Sequence, residues 1–576
     1  MDQAQGIGAF ARDSTWPVAI RIVEVIAVHC SDRERESASR FFDLFKTSWE
    51  FYVEGKPYEV LISTLGDLPD IKTGLLILYS ADTTPFDLSN GTCMSPVSLK
   101  RARSPSGGFV PIYDRLSSLQ SGGVDLLIGD VPDERLAVRI DVPGHRVIRV
   151  GYDLFRETAI LLSQGQPHEF AHIPTLDMHI EWLRTWIVEA GITLVEIPPI
   201  PWGHSFFACL THDVDSGAIR GHGLGPPFWG FMFRATLGSV IGLIGGRLTA
   251  RELLENWKCV ASLPLVYLGI LKDPWDGFEE YVRLEDGLSS TFFVLPFRGV
   301  PGEPWRGQVD SRRASAYGIS DINDQIAFLI ERGHEVGLHG IDAWADLISA
   351  NRERQTVVDV TGQDSIGIRV HWLWYDETSP RVLEQAGFDY DATLGYNSAV
   401  GYRSGTAQPY LPFGATSLFE LPLHIQDTAL FLPRRLNLSK GAAWLHCAPL
   451  IANARRQGGV VVVLWHDRSL APERLWGDFY QRLIHELEAQ GAWFGTAREV
   501  VRWFRKRRSV VFESACDGSM ALTLHRTQET EAGTAPMVVR IHNPPPGIAD
   551  YSGAEAAFHD IRWDREPSIA LPMDSV

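Results

Sequence analysis

The chain of 576 residues lacks several features that would assign it to a familiar class of protein. Its six cysteines are widely scattered and form no C-x-x-C pair, and Cys209, inside an apolar run, is expected to be a small core residue. The net charge of −18 argues against a general nucleic-acid binder, because phosphate contacts need a basic surface. The one basic run, residues 502–508, is interpreted as a solvated helix end. No low-complexity tract or internal repeat is present, so we expect a globular protein of two or three domains.

Targeting and membrane signals are also scarce. The N-terminus, MDQAQGIGAFARDSTW, has neither the basic start nor the apolar stretch of a signal peptide, so a cytoplasmic location is expected. The most membrane-like stretch, residues 228–246, carries Arg234 near its middle, and its uninterrupted apolar part is shorter than a membrane span. We interpret it as an inserted helix that covers the second domain, with attachment to a membrane interface as the alternative. Any membrane contact is therefore expected to be peripheral at most.

Hydrophobic patterning predicts four regions. Residues 1–195 mix strand-like and helical runs and are predicted to form a mixed α/β domain. Residues 196–205 are rich in proline and read as a linker. In residues 206–509, short and fully apolar strands alternate with helices, which predicts a parallel sheet covered on both faces, closed or open. Residues 510–576 alternate polar and apolar residues and predict a small antiparallel β appendage.

Three polar clusters directly follow apolar strands in the third region. They are THDVD (211–215), LHGIDAW (338–344) and LWHDR (464–468). Because the carboxyl ends of parallel strands meet at one face, we expect these clusters to lie together. Asp213 and Asp215 are two residues apart, so in an extended segment they project to the same side. A divalent metal held by one carboxylate and by imidazoles would relieve their repulsion and leave the other carboxylate as a base, whereas a polar turn that caps a helix is the simpler alternative.

The order of these motifs resembles that of the polysaccharide deacetylase superfamily, carbohydrate esterase family four. THDVD loosely matches the Thr-Phe-Asp-Asp-Gly motif, and RGHEVGLHG looks like the second motif. GIRVHW resembles the third motif, Arg-x-Pro-aromatic, and VVLWHD resembles the fifth, Leu-x-His-Asp. The resemblance spans residues 206–505 and is closest to a bacterial branch with an extra N-terminal domain. It implies an incomplete (β/α) barrel that carries the chitooligosaccharide-deacetylase homology domain.

The resemblance also implies roles for individual residues. Asp213 would be the general base, and Arg369 would hold it in place. Asp215 and His339 would be metal ligands, and His466 would be the general acid that protonates the departing amine. The implied reaction is the metal-dependent hydrolysis of an amide, with Zn²⁺ as the expected metal.

Two positions depart from the family pattern. Ala343 stands where the family has a second histidine ligand, and His371 stands where the third motif has proline. One hypothesis joins both facts, with His371 filling the ligand position lost at residue 343. Asp342 is the competing third ligand and His334 is a weaker candidate. Loss of the metal is the remaining alternative.

Further residues are expected around the substrate. His212 replaces a phenylalanine of the family and is expected to be packed and hydrogen-bonded rather than a ligand. The predicted substrate contacts are Leu464, as part of the acyl pocket, with Trp372, Tyr402, Arg403 and Asp467, and the neighbouring loops also offer His424 and Asp427.

The sequence thus predicts N-deacetylation of an N-acylated sugar or polysaccharide intermediate, with a cell-envelope pathway inferred from the family alone. A deformylase of a lipid-linked amino sugar is a close variant, to be distinguished by release of formate instead of acetate. A degenerate barrel that binds glycan without hydrolysing it is the non-enzymatic alternative, and Ala343 favours it. A glycosidase is disfavoured, because two carboxylates two residues apart are crowded for flanking a glycosidic bond.

Overall fold

The computed structural model describes most of the chain. It covers residues 25–69, 73–104, 107–131, 133–142, 145–303, 310–514, 521–527, 534–544 and 558–572. The N-terminal stretch considered as a signal and Cys516 lie outside the described residues.

The N-terminal region has eleven strands among its described residues, and nine of them form one mixed sheet. Its strands are β1 (Ile26–His29), β2 (Trp49–Phe51), β3 (Val60–Ser63), β4 (Leu75–Tyr79), β5 (Cys93–Pro96), β6 (Arg101–Arg103), β7 (Phe109–Pro111), β8 (Ser117–Gln120), β9 (Val124–Ile128), β10 (Arg135–Val142) and β11 (His145–Val150). The order is β2-β1-β3-β4-β11-β10-β9-β6-β7, parallel from β2 to β11 and antiparallel from β11 to β7, while β5 pairs with β8. This is the mixed α/β architecture that the alternating apolar runs predict.

The central region is an incomplete α/β barrel. A short strand, β12 (Leu194–Glu196), precedes it, and its own strands are β13 (Phe206–Val214), β14 (Thr291–Val294), β15 (Glu335–Gly340), β16 (Ile368–Val370), β17 (Tyr390–Asp391), β18 (Phe419–Glu420), β19 (Ile425–Gln426), β20 (Val460–Leu464) and β21 (Ala492–Phe494). All are parallel in the order β18-β17-β16-β15-β14-β13-β20-β19, and β21 also pairs with β13. Because β18 and β19 are the two ends of this order, the curled sheet stays open between them.

Helices cover both sheets, as fully apolar strands require. The helices are α1 (Arg35–Leu44), α2 (Pro85–Ser89), α3 (Leu154–Ser163), α4 (Thr175–Glu189), α5 (Pro226–Phe233), α6 (Ser239–Ile244), α7 (Ala250–Tyr267), α8 (Phe278–Glu285), α9 (Asn323–Glu331), α10 (Leu347–Thr361), α11 (Ser379–Gln385), α12 (Asp427–Phe431), α13 (Lys440–Gln457), α14 (Gly477–Ala489) and α15 (Ala497–Arg508). Every residue of β13 is buried, so the barrel core contacts this strand from both sides.

The C-terminal region forms two small antiparallel sheets. Its strands are β22 (Val510–Ser514), β23 (Ala521–Arg526), β24 (Met537–His542), β25 (Phe558–Trp563) and β26 (Ser568–Pro572). One sheet has the order β22-β23-β26, and the other is β12-β24-β25. The segment just before the barrel therefore shares a sheet with the segment that follows it.

The basic run at residues 502–508 is not a solvated helix end, and this prediction was wrong. Arg507 is buried, and its guanidinium donates hydrogen bonds to the carbonyl oxygens of Ile197, Asp43 and Leu44. The end of α15 therefore ties the barrel to the N-terminal region. Buried arginine is tolerated here because the main-chain carbonyl groups satisfy its donors.

A helical hairpin is inserted between β13 and α8. Helices α5 and α6 are joined by a π-helical turn at Arg234–Gly238, and α7 runs back from Ala250 to Tyr267. We call residues 226–267 the inserted hairpin. Its first arm, Pro226–Ile244, is by length and composition the one described helix that could cross a membrane, and 22% of its apolar window is buried. The predicted inserted helix is thus present.

Candidate active site

The ends of five barrel strands bring the predicted polar clusters together. Strand β13 lies between β14 and β20, with Thr211 opposite Leu464 of β20. Strand β15 pairs with β16, with His339 opposite Arg369. His466 and Asp427 follow β20 and β19, which are neighbours. The parallel register alone therefore places side chains from distant parts of the sequence at one edge of the sheet.

Three potential metal ligands converge on one point. Asp215, His339 and His371 each offer a ligand atom, and the three atoms lie within 4.8 Å of one another. The Nε2 atoms of His339 and His371 are 3.3 and 3.5 Å from Asp215 Oδ1. One carboxylate and two imidazoles form a donor set that suits zinc and similar divalent cations.

The protonation states of Asp215, His339 and His371 favour a bound cation over a proton shared between them. His339 Nδ1 lies 2.9 Å from the carbonyl oxygen of Arg369, which can only accept, so Nδ1 carries the hydrogen and Nε2 presents a lone pair. Withdrawal from water raises the pKa of Asp215, but the neighbouring imidazoles of His339, His371 and His466 outweigh this effect and hold the pKa far below the usual range. Burial lowers the pKa of His371 well below its ordinary value, which favours the neutral imidazole that a metal needs. Asp215 Oδ1 is buried without a hydrogen-bond partner among the described residues, as expected of a ligand atom.

A strained turn directs His371 toward the cluster. His371 follows β16, and the next two residues, Trp372 and Leu373, have φ values of 68° and 57°. Left-handed backbone costs a bulky residue on the order of 1 kcal/mol or more, so such turns persist where the surroundings impose them. His371 Nδ1 is buried and has no hydrogen-bond partner among the described residues, so its tautomer is not fixed by a neighbour.

Asp213 is held by an arginine behind the cluster. Its Oδ1 accepts a hydrogen bond of 3.0 Å from Arg369 Nη1, and the same nitrogen donates to Thr211 Oγ1 at 2.8 Å. Arg369 is fully buried and also donates from Nε to the carbonyl oxygen of Ala392. The second carboxylate oxygen of Asp213, Oδ2, lies 3.8 Å from His339 Nε2. Arg369 therefore fixes one oxygen of Asp213 and leaves the other beside the ligands.

His466 is held by Asp427 on the other side of Asp215. Its Nδ1 lies 2.7 Å from Asp427 Oδ1, its main-chain NH donates to Asp427 Oδ2, and its Nε2 is 3.8 Å from Asp215 Oδ2. Burial lowers the pKa of His466, but the Asp427 carboxylate outweighs burial and raises the pKa to about 9. The imidazolium form, which can donate a proton, is therefore the stable form near neutral pH.

These groups open into a cleft of about 1010 Å³. The predicted site residues that line it are Asp213, Asp215, His339, His371, Trp372, Leu464, His466 and Asp467. Arg369 lies behind this lining and contacts Asp213 from within the barrel. Asp467 also has a structural task, because its Oδ2 accepts hydrogen bonds from the main-chain NH groups of Ser216 and Gly217.

Several sequence candidates lie elsewhere. Tyr402 is buried, its hydroxyl donates to the carbonyl oxygen of Leu450, and Arg403 donates to the carbonyl oxygen of Gly395. Neither lines the cleft, because this loop packs against the N-terminal region, so their predicted role as sugar contacts lacks a structural basis. Asp342, the rival third ligand, accepts from the main-chain NH of Glu303 and is outside the ligand cluster.

His334 and His212 are committed to other partners. His334 Nδ1 is 3.0 Å from Ser290 Oγ. His212 is buried between Glu285 Oε1, at 2.8 Å from Nε2, and the carbonyl oxygen of Trp465, at 2.9 Å from Nδ1. The prediction that His212 is packed and hydrogen-bonded is confirmed.

The sequence did not reveal the pairing of Asp427 with His466. It also did not reveal the arginines that line the cleft, which are Arg234, Arg312, Arg313, Arg435, Arg468 and Arg474. Asp427 was one of several loop residues suggested as sugar contacts. Its position immediately after the short strand Ile425–Gln426, like that of the other clusters, was the available signal. That signal was weak because a strand of two residues leaves almost no apolar pattern.

Comparison with known proteins gives structural neighbours and no sequence family. No protein-family model matches the chain, and no curated protein matches it. A solved structure named as a polysaccharide deacetylase from Mycobacterium smegmatis is 19% identical, with 54% of this chain and 93% of that chain covered and a TM-score of 0.34. The carbohydrate deacetylase Agd3 is 9% identical, with 96% of this chain and 99% of that chain covered and a TM-score of 0.39.

A third neighbour is a pseudoenzyme of carbohydrate esterase family 4 from Bacillus anthracis. It is 11% identical, with 40% of this chain and 62% of that chain covered and a TM-score of 0.23. These three neighbours are named as two deacetylases and one pseudoenzyme. Because a fold does not by itself fix a function, the function has to follow from the contacts of this chain.

Proposed function

We propose that the protein is a metal-dependent hydrolase that removes an acyl group, acetyl in the simplest case, from the amino nitrogen of an N-acylated sugar or glycan intermediate. One observation carries the proposal: an arginine-held aspartate, a cluster of three metal-type ligands and an aspartate-held histidine follow one another in a single cleft. Amide hydrolysis needs a base for water, an electrophilic site for the carbonyl and an acid for the departing amine. The cleft supplies a candidate for each.

The residues that would hold the metal are Asp215, His339 and His371, and we propose Zn²⁺ as the metal. When bound, the cation would polarise the acyl carbonyl and ease deprotonation of a water molecule. Asp213 takes the proton of the attacking water at Oδ2, because Oδ1 is occupied by Arg369. The same contact fixes the orientation of the Asp213 carboxylate.

The opposite proton transfer belongs to His466. Its Nε2 donates a proton to the amine nitrogen as the C–N bond breaks, while Asp427 holds Nδ1 and stabilises the imidazolium. The products are a free amine on the sugar and the carboxylate of the acyl group. Leu464 and Trp372 line the same cleft and offer apolar surface to the acyl group and a sugar ring.

A combined metal and product measurement tests the proposal. Purified protein is analysed for bound metal, and a panel of N-acetylated and N-formylated sugars is assayed for released acetate and formate. We expect one bound divalent cation per chain and acid release that stops on chelation and returns with Zn²⁺. Bound metal without release of either acid would favour the glycan-binding alternative, and absence of both metal and activity would overturn the proposal.

A further inference from the structure

Arginines dominate the lining of the cleft beyond the ligand cluster. Of the described residues that line it, six are arginines and three are aspartates. The arginines are Arg234, Arg312, Arg313, Arg435, Arg468 and Arg474. Two of the aspartates, Asp213 and Asp215, belong to the catalytic group, and Asp467 binds main-chain NH groups. These aspartates already have other partners, so they do not neutralise the positive charge of the lining arginines.

Two of these arginines have partners of their own. Arg312 Nε donates to Asp310 Oδ1 at 2.9 Å. Arg313 donates to the main-chain carbonyl oxygen of Pro301 and lies 3.8 Å over the ring of Trp374. Both are therefore held in place by the protein itself.

Three others, Arg234, Arg468 and Arg474, have no carboxylate within hydrogen-bond distance of their guanidinium groups among the described residues. Arg474 Nη1 donates to Ser469 Oγ at 3.2 Å, and the guanidinium groups of Arg474 and Arg468 each lie 4.9 Å from a ring centre, that of Trp476 and of Trp275. Arg234, from the inserted hairpin, has Glu473 Oε1 at 4.0 Å from its Nη2, and its buried Nε has no hydrogen-bond partner among the described residues. Glu473 Oε1 already accepts a hydrogen bond from Trp275. Burial and the charge of Arg468 lower the pKa of both Arg234 and Arg474, that of Arg474 to about 10. Like charges in a cleft repel unless an anion joins them.

We propose that Arg234, Arg468 and Arg474 form a subsite for an anionic substituent, a phosphate or a carboxylate, on the N-acylated sugar. The planar guanidinium groups match the oxygens of either anion and prefer them to neutral hydroxyl groups. This inference rests on the proposed function for the sugar and acyl group, but the anion site itself does not. Since Arg234 belongs to the inserted hairpin, the insertion supplies part of the substrate specificity.

A set of matched substrates tests the subsite. N-acetylglucosamine, its 1-phosphate and N-acetylmuramic acid are compared by kcat/KM in the wild type and in the variants Arg234→Gln and Arg468→Gln. We expect at least tenfold higher kcat/KM for one of the anionic sugars, lost mainly through KM in both variants. Arg312→Gln is the control. Arg312 is paired with Asp310, so this variant should keep the preference for the anionic sugar. Equal kcat/KM for the neutral and both anionic sugars would overturn the subsite.

Direct binding separates the subsite from the catalytic proposal. Inorganic pyrophosphate is titrated calorimetrically into the wild type, Asp213→Asn and Arg234→Gln. Binding that survives Asp213→Asn and weakens in Arg234→Gln supports the subsite even if no sugar is hydrolysed. Acid release from neutral sugars without any pyrophosphate binding would instead keep the proposed function and remove the subsite.

A different observation concerns the outer face of the same hairpin. Twelve of the 22 exposed large hydrophobic residues in the described part of the chain fall between Leu224 and Leu271. Five of them form a stripe along the first arm, Trp229, Phe233, Leu237, Ile241 and Ile244, with exposures from 57% to 82%. Their spacing of three or four residues places them on one helix face. We call these five residues the outer stripe.

The other faces of this arm are already used. Phe231, Ala235 and Ser239 are buried against α7 and its surroundings, and Gly230 and Arg234 line the cleft. The arm therefore cannot leave the barrel to span a bilayer without exposing Arg234 to hydrocarbon, which is costly. The outer stripe is instead free to lie flat against a surface.

The charge near the stripe identifies the kind of surface. The inserted hairpin, residues 226–267, contains four basic and two acidic side chains, a net charge of +2 in a chain of net charge −18. Arg234 lines the cleft, and the other basic residues are Arg247, Arg251 and Lys258. Tryptophan and basic residues beside an apolar helix face are typical of segments that lie in the interface of an anionic membrane. We propose that the outer stripe docks the protein onto an anionic lipid surface, with the cleft lined by the inner face of the same helix.

Vesicle binding tests this docking. The wild type, the variant Phe233→Gln/Leu237→Gln/Ile241→Gln and a control with equally exposed residues elsewhere, Leu88→Gln/Leu99→Gln/Ile348→Gln, are sedimented with vesicles of phosphatidylglycerol or of phosphatidylcholine alone. We expect the wild type and the control to bind phosphatidylglycerol vesicles at least tenfold more tightly than the stripe variant, with little binding to phosphatidylcholine. Equal binding by the stripe variant would overturn the proposal. So would a concentration-dependent dimer of the wild type that the stripe variant loses, since a second copy would then cover the stripe.

Discussion

The two walls of the cleft differ in how their charged side chains are paired. On the wall formed by strand ends, Asp213 is paired with Arg369 and His466 is paired with Asp427. On the wall formed by the inserted hairpin, Arg234 has no close carboxylate to itself, and the opposite helix face leaves Phe233 exposed. On the first wall the base and the acid each have a charged partner within the protein, whereas on the second wall Arg234 lacks a close carboxylate and Phe233 faces water.

This difference separates the residues proposed for catalysis from those proposed to bind the substrate or a surface. Catalytic groups act best when their orientation and charge are fixed before the substrate arrives, and the parallel sheet supplies such positions at its strand ends. Groups that bind a partner must instead be left without one in the free protein. We therefore propose that the inserted hairpin contributes substrate specificity, while the proposed catalytic groups belong to the barrel.

The largest expected effect comes from breaking the paired wall at Asp213. Asp213→Asn keeps the side-chain volume but removes the base, so kcat should fall by about a thousandfold or more. Metal content should stay at the wild-type level, because Asp213 is outside the ligand cluster. Acid release in single-turnover assays and metal analysis measure the two effects. A variant that retains most of its activity would remove Asp213 from the mechanism.

The next effect tests which residue completes the ligand set. His371→Ala removes one of three converging ligand atoms, so zinc affinity should fall by more than about a hundredfold, measured by competition with a chelator. Asp342→Ala is the matched control, because Asp342 binds the main-chain NH of Glu303 and should leave zinc affinity within about threefold of wild type. Stoichiometric and equally tight metal in His371→Ala would contradict the ligand set.

Sequence patterns predicted the parts of this site that depend on short stretches of the chain, such as the ends of strands. The strands that lead into THDVD, LHGIDAW and LWHDR are buried and include the first residues of each cluster, so the convergence of their ends could be expected. The partner of His466 could not be predicted, because it depends on β19 lying beside β20, and Asp427 and His466 are 39 positions apart in the sequence. The meeting of Arg234 with Arg468 likewise depends on how the hairpin folds over the barrel. Tyr402 was predicted to contact the substrate, and no pattern in the sequence indicated that its loop packs against Ala171 of the N-terminal region.

A smaller effect concerns the pH dependence that Asp427 imposes. The pKa of His466 is raised to about 9 by Asp427 against the effect of burial, so the proton donor is present at lower pH and is lost as pH rises through that value. Asp427→Asn removes the negative charge and leaves the burial, so the pKa falls. The alkaline limb of the kcat profile should move to lower pH by more than about one unit, and kcat at neutral pH should fall about tenfold. An unmoved alkaline limb would show that another group sets it.

The smallest effect should come from the outer stripe and would sharpen the contrast with the barrel core. Replacing Leu237, which is 62% exposed, with glutamine removes little buried surface, so the free energy of unfolding should change by less than about 0.5 kcal/mol. Leu210→Ala in the buried strand β13 is the comparison and should cost about 2–5 kcal/mol, measured by urea unfolding of both variants. A loss of stability in Leu237→Gln as large as in Leu210→Ala would mean that the stripe packs against the protein in solution. A side chain that already faces water has no burial energy to lose, and a contiguous row of such side chains is typical of an interaction surface.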